Sequence, residues 1–215
     1  MENLQRLFDN NKAIVAEITK SDPEFFTRRA GKQEPHFLFI GCADSRVPIE
    51  TLTGVAPGEM FVHRNIANQA LAADLNLLSV LQYAVEVLDV KHVIVCGHYQ
   101  CGGVKAAMGD ESYGLVDHWL AGIRDQVRRH QSELDAEINE QARFDRVVEL
   151  NVLRQVYNLS RTPIVQNCWK RGRRPLLHGI VYDIRDGRLT PLVLEVDGSD
   201  KVRALLEADR RGVGV

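Results

Sequence analysis

Residues 37–46 read Phe37-Leu38-Phe39-Ile40-Gly41-Cys42-Ala43-Asp44-Ser45-Arg46. Phe37 to Ile40 form a short continuous apolar run. A strand covered on both faces makes such a run, because neither of its sides meets water. Groups capable of chemistry begin where the run ends. A second run, Val93-Ile94-Val95-Cys96, is followed in the same way by Gly97-His98-Tyr99-Gln100-Cys101-Gly102-Gly103. Two buried strands alternating with helical stretches predict an α/β fold with a mainly parallel central sheet flanked by helices. In open sheets of this kind, sites gather at the carboxyl ends of the strands.

Outward from these runs, Leu4, Leu7, Phe8, Ile14, Val15 and Ile18 have helical spacing. A second short helix is signalled by Asp22 as cap, Pro23 in its first turn and Gly31 beyond its end. Met60-Phe61-Val62 is a weaker strand signal. Residues 73–89 predict a helix with Leu75, Leu78, Leu81, Val85 and Leu88 on one side. Residues 116–159 are mostly helical in pattern, with a break near Gln131. Strands at Gly179–Ile184 and Leu192–Val196 flank the turn Arg185-Asp186-Gly187-Arg188, and residues 199–210 predict a closing helix. With no repeat and no linker, the chain is expected to be one domain. It comprises an N-terminal helical arm (1–34), an α/β core (35–197) and a C-terminal helix and tail (198–215).

The 215 residues are 45% hydrophobic and 26% charged, enough to bury a core without disulfides. A net charge of -2 does not draw the whole surface onto nucleic acid or acidic lipid. No apolar run approaches the ~18 residues that span a bilayer, and the first residues lack the plan of a secretory signal. The expected address is cytoplasmic, with no nucleic-acid or membrane partner. Lys170-Arg171-Gly172-Arg173-Arg174 is the most basic run and reads as a solvated loop or an intersubunit contact. Dinucleotide, nucleoside-triphosphate and serine-hydrolase motifs are absent from the sequence.

Four cysteines are too sparse for a disulfide scaffold and suit a reducing compartment. Cys42, His98 and Cys101 are the candidate zinc ligands. Thiolate and imidazole match the softness of zinc, and three protein donors leave a fourth position open. The His98-x-x-Cys101 spacing lets one turn aim two donors at one ion. Asp44 is placed to orient whatever fills the fourth position, or to reach the metal itself. Arg46 offers a two-pronged donor that would hold this carboxylate. Cys96 and Cys168 read as packed thiols. His36, His63, His92, His118 and His130 have no spacing that argues for a metal.

Cys42-x-Asp44-Ser45-Arg46 with His98-x-x-Cys101-Gly102-Gly103 resembles the signature of the β-class carbonic anhydrases. The resemblance extends to Pro57-Gly58-Glu59-x-Phe61-Val62-x-Arg64-Asn65-x-Ala67-Asn68, to Glu149-Leu150-Asn151-Val152 and to His178-Gly179-x-x-Tyr182. It covers roughly residues 33–187 and points to the bacterial branch. It implies one Zn2+ per subunit, a homodimer or dimer-of-dimers tetramer, and reversible hydration of carbon dioxide to bicarbonate by zinc-bound hydroxide. Two thiolates and an imidazole leave the ion without net charge, and protein sites still bring a zinc-bound water to a pKa of about 7–9.

By the same resemblance, Asp44 and Arg46 are the catalytic pair, with Asp44 able to close onto zinc at low pH and return to Arg46 at high pH. Gln33 would donate to the substrate oxygen. Phe61, Ile66 and Tyr83 would wall the carbon dioxide pocket, partly across a subunit boundary, although by residue type Phe61 and Ile66 read as ordinary core. Gly102 and Gly103 would allow close backbone approach to substrate. A bicarbonate effector pocket would use Arg64 and Tyr182, with Phe39 where the family has Trp. Phenylalanine keeps the apolar area and loses the indole N–H. Two other readings use the same ligands: a carbonyl sulfide or carbon disulfide hydrolase, and a non-catalytic zinc protein for assembly or regulation.

Overall fold

The protein is described here by a computed structural model covering residues 2–198 and 200–205. The chain divides into two compact units, Met1–Glu34 and Pro35–Val215. In the first, α1 (Glu2–Ser21) carries Leu4, Leu7, Phe8, Ile14 and Val15, all solvent-exposed. The second helix, α2 (Phe25–Ala30), begins later than its sequence signals suggest. Asp22 and Pro23 lie in the preceding turn, where the Asp22 carboxylate accepts from the Glu24 N–H and from Arg28.

The second unit is built on a five-stranded sheet of order β2-β1-β3-β4-β5. It opens with β1 (Phe37–Cys42), α3 (Ile49–Thr53) and β2 (Met60–Asn65). After a short 3-10 turn at Ile66–Asn68 comes α4 (Leu75–Gln82). Asp74 caps it by accepting from the N–H groups of Asn76 and Leu77. The helix then widens into a π turn at Tyr83–Val87. The buried face is Leu77, Leu81, Ala84 and Val85, and Leu75 is exposed. The expected stripe holds at Leu81 and Val85, which are buried, and at Leu78 and Leu88, which pack against the core, and fails only at Leu75, the first residue of the helix.

Next come β3 (His92–His98), α5 (Gly102–Met108), α6 (Leu115–Trp119), α7 (Ala121–Arg129), α8 (Gln131–Leu134), α9 (Glu140–Ser160) and α10 (Pro163–Lys170). The expected long helical stretch is thus four helices, interrupted at Leu120, His130 and residues 135–139. The sheet finishes with β4 (Leu176–Tyr182) and β5 (Leu189–Val196). Only the β4–β5 pair is antiparallel. The β4 strand starts three residues earlier than expected at Leu176 and stops at Tyr182, so Ile184 lies in the turn. Residues 200–205 are helical, and the rest of the expected closing helix lies outside the described residues.

Register decides where the site falls. Phe37 pairs with Met60 on one side and with His92 on the other, so the three strands run in step. Cys42 and His98 therefore arrive at the same end of the sheet, where their strands finish. The long helix α9 packs over β3 and β4. Glycine permits this closeness: a Cβ on Gly97 would stand 2.5 Å from Val152 Cγ2.

Candidate metal centre

Cys42 is the last residue of β1 and His98 the last of β3, while Cys101 is the N-cap of α5. All three are buried. Their donor atoms lie within 4.8 Å of one another, and the two sulfurs are 3.9 Å apart. The turn that joins His98 to Cys101 takes Gln100 through a left-handed φ of 58°. That sharp reversal brings the two donors onto one point.

The protonation pattern suits a cation. His98 Nδ1 lies 3.0 Å from the Tyr99 carbonyl oxygen, which can only accept. The ring proton is therefore on Nδ1, and the Nε2 lone pair faces the thiols. Nε2 is buried and has no hydrogen-bond partner within the protein. A buried acceptor left unpaired is costly unless something fills its place. The Cys42 thiol is held down, chiefly by its contact with the Cys101 sulfur, with help from the His98 ring and the backbone N–H groups of Ala67 and Asp44. Cys101, facing that thiolate, is pushed up. One thiolate is thus already favoured without a metal, and a cation would favour the second. Two sulfurs and one imidazole nitrogen fit zinc with an open fourth position.

Asp44 flanks this cluster, with Oδ2 3.7 Å from His98 Nε2. Arg46 grips it with both prongs, Nε to Oδ1 at 2.9 Å and Nη2 to Oδ2 at 2.7 Å. The Arg46 backbone N–H adds a third bond at 2.9 Å. The guanidinium is the main reason the carboxyl is lowered to about 2. Arg46 also donates to the Gln100 carbonyl at 3.3 Å, tying the pair to the His98–Cys101 turn. Gln100 was not singled out from sequence, since its contribution is a backbone carbonyl and a backbone angle.

The remaining expected residues fall into three groups. Gly102 and Gly103 follow Cys101 at the start of α5, whereas Phe61 pairs with Leu38, four residues before Cys42, so within this chain it and Tyr83 lie back along the sheet from the trio. The rings of Phe61 and Tyr83 are 6.0 Å apart. A Cβ on Gly103 would meet Ile66 Cγ2 at 2.9 Å, so that side chain lies directly against α5. Ile66 is 43% exposed and is not ordinary core, which the residue type alone suggested. Phe39, Arg64 and Tyr182 gather on one side of the sheet, where Phe39 and Tyr182 share a packed cluster with Val47, Ile49 and Cys96. Arg64 lies 5.5 Å from the Phe39 ring centre and donates to the carbonyls of Cys42 and Val47. Gln33 lies in the other unit, exposed, between α2 and β1. Cys96 and Cys168 are buried as expected, and burial pushes the Cys96 thiol up to about 12.

Three features carried no role in the sequence reading. Asn151 on α9 donates to the Ala67 carbonyl, and Gln155 receives the Ala70 N–H, bracing the segment after β2. That segment needs bracing because Ala67 and Asn68 both have left-handed φ. Tyr99, between two proposed ligands, donates its hydroxyl to Glu149 at 2.9 Å.

A family model described as carbonic anhydrase matches residues 37–189. A carbonic anhydrase of Emericella nidulans is 45% identical, aligned over 90% of this chain and 85% of that protein. One of Pseudomonas aeruginosa is 37% identical over 79% of this chain and 78% of its own. A structure of a tetrameric β-carbonic anhydrase from the filamentous ascomycete Sordaria macrospora superimposes with a TM-score of 0.85. It is 38% identical and covers 89% of this chain and 98% of that one. The expected leaning toward the bacterial branch is not borne out, because the fungal relative matches more closely and over more of the chain. The motifs that suggested it are site residues, which serve the chemistry and carry little about lineage.

Proposed function

The chain belongs to the β-class carbonic anhydrase family, and we propose that it catalyses the reversible hydration of carbon dioxide to bicarbonate and a proton. The observation that carries this reading is the buried trio Cys42, His98 and Cys101, with Asp44 held by Arg46 3.7 Å from His98 Nε2. Cys42, His98 and Cys101 would hold one zinc per subunit. When bound, zinc supplies a Lewis acid that lets water ionise near neutral pH. Asp44, kept ionised by Arg46, can only accept hydrogen bonds, so it fixes the direction of any O–H beside it. Ile66, Phe61 and Tyr83, contributed partly by a second copy of the chain, supply an apolar wall for a substrate with no net dipole. Gly102 and Gly103 leave backbone open to it.

Three finer elements belong to the same proposal. First, Asp44 leaves Arg46 at low pH and becomes the fourth ligand, returning at high pH. Its nearness to His98 Nε2 and its ionisation down to about 2 support this, since an anionic ligand remains available in acid. Second, the protein acts as a homodimer or tetramer, as the exposure of Ile66 and Tyr83 and the tetrameric Sordaria relative suggest. Third, two thiol donors require a reducing compartment, for which we propose the cytoplasm. No helix among the described residues is long and apolar enough to cross a membrane. We also keep Phe39, Arg64 and Tyr182 as a bicarbonate effector site. Phe39→Trp should strengthen bicarbonate inhibition, and unchanged inhibition would remove the site from the proposal.

Stopped-flow hydration of carbon dioxide with a pH indicator tests the main reading. Wild type should be active with one zinc per chain, and Cys42→Ser should lose both zinc and activity. Activity on carbon disulfide or carbonyl sulfide alone would assign the sister hydrolase. One bound zinc without any turnover would leave an assembly or regulatory protein.

A further inference from the structure

Tyr99 separates the imidazole ligand from the rest of its turn, and it is anchored from three directions. Its backbone N–H donates to the Tyr182 carbonyl at 3.0 Å. Its hydroxyl donates to Glu149 Oε1 at 2.9 Å. The Arg185 guanidinium lies 5.3 Å from the centre of its ring. What this anchoring holds still is the Tyr99 carbonyl, which takes the His98 Nδ1 proton. The next residue, Gln100, is in the left-handed region, and its carbonyl accepts from Arg46.

Glu149 is itself part of a chain of charges on α9 and its neighbours. Arg146 Nη1 donates to Glu149 Oε2 at 3.0 Å, and Arg146 Nε donates to Glu133 Oε1 at 2.6 Å. The other oxygen of Glu133 lies 2.9 Å from His130 Nδ1. The side chains of Arg146 and Glu133 are only 13% and 16% exposed, so the chain is paid for by its pairing and is costly to break. Nothing in the reaction requires charges this far from the trio. Among the described residues, the Tyr99 hydroxyl joins them by a hydrogen bond to the turn that carries two of the trio.

We infer that Glu149, oriented by Arg146, is a positioning residue for the metal centre, acting through Tyr99 to hold the His98–Cys101 turn. The inference rests on the reading of Cys42, His98 and Cys101 as zinc ligands. Glu149 and Tyr99 touch no reacting atom. Their effect is to fix the carbonyl that selects the His98 tautomer, and with it the direction of Nε2. Loosening a partner of this kind costs about 10–100-fold in metal affinity or activity.

The test uses the full-length zinc protein with Tyr99→Phe, which deletes one oxygen, and Glu149→Gln, which keeps the shape and removes the charge. Zinc release to a chromogenic chelator should quicken by about tenfold or more in Tyr99→Phe. The visible absorption bands of the cobalt-substituted protein, which report ligand geometry, should shift. The double variant should release zinc no faster than the single ones, because both act on one path. A Glu149→Gln protein that does not fold leaves Tyr99→Phe to decide. Unchanged zinc release and cobalt spectrum in folded Tyr99→Phe would overturn the inference, even with a lowered melting temperature. If wild type binds zinc but does not hydrate carbon dioxide, the enzymatic reading fails while zinc release still decides this one. A wild type that holds no zinc removes both.

Discussion

Arg46 fixes the charge of Asp44, and the consequences can be followed residue by residue. The folded carboxyl is held down at about 2, below the ordinary ~3.9 of an aspartate. A depressed value means the Asp44–Arg46 contact adds stability above the ordinary pKa. That contribution is lost as pH falls through about 2. Arg46→Ala should return the carboxyl toward the ordinary range in the metal-free protein, as read by carbon-13 NMR titration. A carboxyl that stays low would credit the backbone N–H instead. Asp44→Asn keeps the size and loses the ionised acceptor. It should lower carbon dioxide hydration by about a hundredfold or more while zinc content is kept. Loss of zinc in that variant would make Asp44 a holder of the metal rather than an orienter. This pair was legible in the sequence because its members are two residues apart and next to Cys42. Gln100 and Tyr99 were not, because a left-handed φ on a non-glycine residue and a useful carbonyl leave no mark in residue type.

Among the elements, the contact of α9 with β3 is the tightest to test. Gly97 meets Val152 so closely that a methyl would stand 2.5 Å from Cγ2, well inside van der Waals contact. Gly97→Ala should destabilise the fold by about 1–3 kcal/mol, seen as a lower urea midpoint with unchanged slope. Val152→Ala in the same chain should restore part of the loss, because the two side chains share one space. A Gly97→Ala protein as stable as wild type would mean that α9 moves away freely. The element order shows what hydrophobic pattern transmits. Buried parallel strands such as β1 and β3 were legible because burial on both faces leaves a continuous apolar run. The face of α4 was legible at Leu78, Leu81, Val85 and Leu88 and failed at Leu75, which opens the helix and stands clear of the core. The short helices α3, α5 and α10, of five to eight residues, lack the two or three turns over which a 3.6-residue period shows itself. The α5 helix nonetheless matters most for the chemistry, because its N-cap is Cys101.

At the scale of the molecule, a helical stripe that reads as core in the sequence is not core in a single chain. Leu4, Leu7, Phe8, Ile14 and Val15 have the spacing of a buried face, yet Leu4, Leu7 and Phe8 are each more than half exposed. Sequence periodicity reports that a face will be covered and is silent on whether the cover is the same chain or another copy. That is why the fold was legible at the level of its strands while the assembly was not. Five large apolar residues on one helix face form a patch that a soluble protein seldom leaves in water. A net charge of -2 offers little repulsion against association. Paired charges on that stripe should then be poorly tolerated at a subunit contact and well tolerated within one chain. Leu7→Glu with Phe8→Glu should lower the mass measured by light scattering on a sizing column to a fraction of the wild-type value, with far-UV circular dichroism retained. Specific activity should fall on dilution, because the proposed pocket takes part of its wall from a second copy. A wild type that already runs at the mass of one chain would refute self-association. A variant that keeps the wild-type mass would place the contact elsewhere, with exposed Tyr83 and Val87 as the next surface to charge.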